Sequence, residues 1–143
     1  MYARQAFYDS LPPAQLETVL LYFLGRFTVE KQLGDWTYPE AIEETCYRLQ
    51  ERMRRLRVEL VFERDPPNIY SRCVRSALAE LIDSGVEFHG QGGLVFPEPE
   101  ARRHVLTLRH TLSREQLFAL DLLFPSFAMS LREQANLLFP TFH

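Results

Sequence analysis

Lysine is almost missing from this sequence: of sixteen basic residues only Lys31 is lysine, and the rest are arginine. Cysteine is scarce, with Cys46 and Cys73 alone. Both fall on apolar helix faces, so buried thiols are expected rather than a disulfide framework. His89, His104, His110 and His143 are scattered, and no Cys-x-x-Cys or His-x-x-x-His spacing occurs. That removes the common zinc-ligand patterns, and no metal or other cofactor is expected. No uncharged apolar run reaches the ~18 residues that a membrane-spanning helix needs. The opening residues also lack the basic stretch and long apolar run of a secretory signal. The expected setting is therefore the cytoplasm or an organelle matrix. Catalytic signatures are lacking too. Gly90-Gln91-Gly92-Gly93 has neither the Lys-Ser/Thr of a P-loop nor the spacing of a dinucleotide site. No serine or cysteine has a nucleophile context such as Gly-x-Ser-x-Gly. The chain is not expected to be an enzyme.

What is present is ordinary globular composition, with 46% hydrophobic and 24% charged residues over 143 positions. That length allows one domain, or a domain with a helical appendage. The net charge of −3 gives no bulk attraction for nucleic acid. The charge is uneven, however. Residues 46–75 hold eight basic and four acidic side chains, while the flanking regions are acidic. The basic middle is Arg48, Arg52, Arg54, Arg55, Arg57, Arg64, Arg72 and Arg75.

The chain divides at its prolines and glycines. Leu16, Val19, Leu20, Phe23, Leu24 and Phe27 predict a helix from about 13 to 27, with residues 1–12 as a lead. Ile42, Cys46, Leu49, Met53, Leu56 and Leu60 recur at steps of four and three, which predicts one long helix over 39–57. Residues 58–63 alternate apolar and acidic, as an edge strand does. Ile69, Tyr70, Cys73, Val74, Ala77, Leu78, Leu81 and Ile82 form the stripe of an amphipathic helix, and Gly85 suits its C-terminal cap. Val86, Phe88, Leu94 and Phe96 flank the glycine cluster and predict a β-hairpin. Alternation of His104, Leu106 and Leu108 with Val105 and Thr107 predicts a strand over 101–110. Ser113 and Gln116 make a capping box that opens another helix. The last thirty residues repeat themselves: Arg114-Glu115-Gln116 recurs as Arg132-Glu133-Gln134, and residues 121–127 recur as 136–142. Two short helices are expected there, each ending at a proline, with a second capping box at Ser130 and Glu133.

Residues 69–96, helix then glycine stop then hairpin, resemble the second half of a winged-helix domain, a recognition-type helix followed by its wing. The resemblance implies an α+β fold, mostly helical, with a small antiparallel sheet, a winged-helix-like centre and a helical C-terminal tail. The implied division is 1–112 for the winged-helix-like domain with its N-terminal helices and 113–143 for the helical extension. A fainter resemblance joins the first helix and residues 69–86 to the C-terminal helical region of glycerol-3-phosphate acyltransferases. Such enzymes use His-x4-Asp, and here His110 precedes Glu115 at that spacing. Glu115 is already accounted for as an early-turn residue of a capped helix.

The leading expectation is a non-catalytic protein–protein interaction or assembly module, a subunit of a larger complex. Its partner is another protein or a second copy of the chain. Phe127, Phe139 and Phe142 in the tail, with Arg52 and Arg55 in the basic middle, are the expected protein-binding residues. The alternative is a DNA-binding winged-helix regulator that would use Arg72, Arg75, Arg102 and Arg103. Nucleic acid is not favoured, because the glycine turn has no basic residue and the helix carries Glu80 and Asp83. A third alternative is an accessory domain related to lipid acyltransferases.

Overall fold

The computed structural model describes residues 2–30, 37–65, 68–89 and 93–138. Its hub is helix α2 (Leu16–Val29), which follows α1 (Tyr2–Asp9). Leu16, Val19, Leu20, Tyr22, Phe23, Leu24, Gly25 and Phe27 of α2 are all buried, so the helix is covered on nearly every side. A helix apolar all round belongs in the middle of a bundle. Three later helices lie on it: α5 (Arg72–Asp83), α6 (Glu98–Thr111) and α7 (Arg114–Leu138). Contact is most extensive with α6, and Gly25 is the reason: an added Cβ there would meet Val105 Cγ2 at 2.8 Å and the Ala101 carbonyl at 3.4 Å.

The expected long second helix is broken at Leu49 into α3 (Pro39–Arg48) and α4 (Gln50–Arg55). The heptad-like seam survives the break and serves the chain's own core: Ile42, Cys46, Met53, Leu56 and Leu60 are buried. Helix α4 then ends in a Schellman turn, in which Val58 N–H donates to the Met53 carbonyl and Arg57 N–H to the Arg54 carbonyl. Arg57 takes the left-handed position that glycine usually fills, at φ 61°. Residues 58–62 are not a strand; a single parallel bridge joins Val58 to Ala14.

Strand β1 (Glu63–Asp65) pairs antiparallel with β2 (Asn68–Tyr70), and β3 (Glu87–His89) with β4 (Gly93–Val95). These are two separate three-residue ladders, so the chain is mostly helical and no extended sheet layer is built. One isolated bridge from Thr37 to Leu94 borders the second ladder. Between the ladders, α5 follows its expected phase for Val74, Ala77, Leu78 and Leu81, which are buried. Ile82 departs from it and is exposed, and Ile69 and Tyr70, expected on this helix, lie in β2 because the helix starts only after its Ser71 cap. Ser71 caps the helix by accepting from Val74 N–H, and Gly85, at φ 104°, closes it in a second Schellman turn.

Residues 101–110 are helix, not strand. Ala101 and Val105 are buried and Leu108 packs half-buried, a step of four and then three. His104 Nε2 lies 2.7 Å from the Ser84 carbonyl, tying α6 to the end of α5. The Ser113–Gln116 capping box is present with both bonds at 3.1 Å. Helix α7 then runs unbroken through Pro125 to Leu138, where two short helices were expected. The second box does not form a cap, because Ser130 and Glu133 lie inside this helix. A mid-helix proline costs ~3 kcal/mol. Here Leu123, Phe124, Phe127 and Ala128 are buried on both sides of it, and burial of that order outweighs the cost. No helix among the described residues is long and apolar enough to cross a membrane.

Candidate protein-binding face

Helix α7 has two apolar sides. Ala119, Leu120, Leu123, Phe124, Phe127, Ala128 and Leu131 face inward and are buried. Phe23 of α2 receives Phe127 and Phe124, at ring-centroid distances of 4.8 and 5.9 Å. On the outer side Phe118, Leu122 and Met129 are 58%, 51% and 52% exposed. Exposed Pro125 falls between them, so 118, 122, 125 and 129 recur at steps of four, three and four. That is a narrow seam along one helix face, of the kind a partner helix covers. The Phe7 and Phe118 rings meet edge to face with centroids 5.9 Å apart, which marks the seam's upper end.

Polar anchors hold this helix in place. Tyr22 Oη donates to Asp121 Oδ1 at 2.5 Å, and Arg26 Nη1 donates to the same oxygen at 2.9 Å. Burial, helped by the Asp121 carboxylate, pushes the Tyr22 hydroxyl up to about 12. The Arg26 guanidinium also lies 4.0 Å from the Phe124 ring centre and bonds Glu30 at 2.8 Å. From the other side, Arg52 Nη1 of α4 donates to Ser126 Oγ at 2.7 Å. Ser130 Oγ donates to Thr45 Oγ1 of α3 at 3.4 Å.

No protein-family profile, no curated protein and no solved structure matches this chain. The site therefore rests on its own geometry. Among the expected protein-binding residues, Phe127 is fully buried and belongs to the core, because α7 continues past Pro125 and turns that ring toward Phe23. Phe139 and Phe142 lie outside the described residues. Arg52 borders the outer face of α7 through Ser126, and Arg55 is exposed one turn along the same side of α4. Phe118, Leu122 and Met129 were not among the expected residues, although their spacing is present in the sequence. It was masked because α7 is apolar on the inner side as well.

The arginines proposed for nucleic acid are largely occupied within the chain. Arg75 pairs with the buried Glu43 at 3.2 Å, and that carboxylate also accepts from Ser71 N–H at 3.0 Å. Arg102 pairs with Glu98 at 2.7 Å, and Arg103 with Glu100, whose carboxyl it holds below the usual range. Arg72 is exposed at the start of α5, and Glu80 and Asp83 share that helix's outer side. His110 and Glu115 are both exposed, and no hydrogen bond joins them among the described residues. Cys46 is fully buried, which pushes its thiol well above the ordinary range. Cys73 is half-buried, with Sγ 2.9 Å from Ser71 Oγ. It lines a groove of about 450 Å³ together with Glu17, Arg57, Glu59 and Glu80.

Proposed function

We propose that this chain is a non-catalytic protein–protein interaction module that docks through the outer face of α7. The observation that carries the proposal is the exposed Phe118–Leu122–Pro125–Met129 seam on a helix whose other side is locked into the core. Single exposed apolar residues are common, whereas an aligned set marks a contact surface. Arg52 at the border adds a donor that can steer an approaching surface. In this proposal the centre is winged-helix-like, supported by the order of α5, the glycine stop at Gly85 and the β3–β4 ladder. The ion pairs of Arg75, Arg102 and Arg103 weigh against a DNA-reading use of that centre.

The test is affinity capture from the native cell with the intact chain and with a Leu122→Lys, Met129→Lys variant. Both sites are exposed, so the variant should keep its circular dichroism. It is expected to lose the associated proteins. Retention of the full set by a folded variant refutes the proposal.

A further inference from the structure

The seam on α7 is bordered by charge in a pattern that identifies its occupant. Arg114, Glu115 and Glu133 are exposed and Arg132 is half-exposed. None of the four takes part in an ion pair among the described residues. Arg114 and Arg132 stand about five full turns of α-helix apart, as do Glu115 and Glu133, so each pair keeps one angular position. Measured round the helix from the seam, the two arginines fall on one edge and the two glutamates on the other. The edge with the glutamates is the one that also carries Ser126 and its partner Arg52.

Two copies of such a helix can meet face to face in two ways. With the helices antiparallel, the two-fold axis crosses them and each edge meets its own equivalent. Phe118 then opposes Met129, arginine opposes arginine and glutamate opposes glutamate, which is unfavourable at both ends. With the helices parallel, the two-fold axis runs alongside them and opposite edges meet. Arg114 then faces Glu115 of the second copy, and Arg132 faces its Glu133, twice over by symmetry. Phe118, Leu122, Pro125 and Met129 each meet their own equivalents between these ion pairs. Edge charges of this kind choose partner and orientation in paired helices.

Building on the proposed docking face, we infer that its occupant is a second copy of this chain, joined through α7 in a parallel two-fold pair. The interface is isologous, so it closes at two copies. A seam of four residues is small beside a standard interface, so the pair is weak and depends on concentration.

The experiment is sedimentation velocity on the full chain over a wide concentration range, beside two double variants. Arg114→Glu with Arg132→Glu makes both edges acidic, and Glu115→Arg with Glu133→Arg makes both basic. The unaltered chain should shift from one to two chain masses as concentration rises. Each double variant alone should remain at one mass over the range, and an equimolar mixture of the two should recover the dimer. Met129→Gln, which alters no charge, should also stay monomeric. Circular dichroism checks that each variant is folded. Orientation is read by oxidising Met129→Cys in a Cys73→Ser background. A parallel pair gives a covalent dimer, whereas an antiparallel pair holds those positions ~16 Å apart and gives none. A chain monomeric at every concentration, double variants that dimerise like the unaltered chain, or a dimer that fails to cross-link at 129 each overturns the inference. If the chain is monomeric yet Leu122→Lys, Met129→Lys still abolishes capture of other proteins, only the second copy is refuted and the docking face stands.

Discussion

Gly25→Ala tests the α2–α6 packing on which the core depends. In an exposed mid-helix position this change stabilises by about 1 kcal/mol, since alanine is the better helix former. Here the new Cβ would stand 2.8 Å from Val105 Cγ2, closer than real Cβ atoms come, and 3.4 Å from the Ala101 carbonyl. Val105 is buried at 8% exposure and β-branched, so its side chain has little freedom to turn away. Overpacking of this kind costs ~1–3 kcal/mol. The clash should win over the propensity gain, leaving a net loss of up to about 2 kcal/mol, or a fall in Tm of up to several degrees. Urea denaturation of four chains gives the answer: unaltered, Gly25→Ala, Val105→Ala and the double variant. In the double variant the alanine methyl occupies space that Val105 vacates, so a favourable coupling of ~1 kcal/mol is expected. A Gly25→Ala chain more stable than the parent, or strictly additive effects, would refute the close approach of the two helices.

Three further outcomes are expected. Glu43→Ala should destabilise by ~1–3 kcal/mol in urea, because it leaves the buried Ser71 N–H without its acceptor and removes one partner of Arg75; Glu43→Gln should recover part of this. Because the Tyr22 pKa is raised in the folded chain, from 10.0 to about 12, its contribution is fully present below pH 10 and is lost as pH rises toward 12. Ultraviolet titration should show a late-ionising tyrosine that Tyr22→Phe removes. Pro125→Ala should raise stability by up to ~3 kcal/mol by restoring the helical N–H, and an unchanged or lowered Tm would mean that the ring itself packs usefully.

Local signals in the sequence foretold local structure. The glycine stop at Gly85 and the Ser113 capping box depend on neighbouring residues and are found as expected, and the α5 stripe holds for Val74, Ala77, Leu78 and Leu81, while Ile82 is exposed and Ile69 and Tyr70 belong to β2. Non-local outcomes were harder to read. Ala101, Val105 and Leu108 keep a helix's steps of four and three, while residues 104–108 also alternate as a strand's do. What decided for helix was that Ala101 and Val105 could nest on Gly25, eighty residues away in the chain. Pro125 reads as a stop, but the core bought the helix through it with apolar residues on both sides. Arg57 in a left-handed conformation has no sequence mark at all, since arginine is not the residue that position favours. The α7 seam was legible only as spacing. Adjacent Leu122 and Leu123 look alike in sequence, and the packing of Phe124 and Phe127 on Phe23 decides that one is exposed and the other buried.

The central claim is that the chain makes its contacts through the outer face of α7, and position-specific photo-cross-linking in the native cell tests it most directly. A photoreactive side chain is placed at Leu122 or Met129 on that face, and at Ser76 or Ala79 on the exposed side of α5. Cross-linked species are expected from 122 and 129, with 76 and 79 silent. Cross-links from 76 and 79, with none from 122 and 129, would contradict the claim and move the working surface to the exposed side of α5.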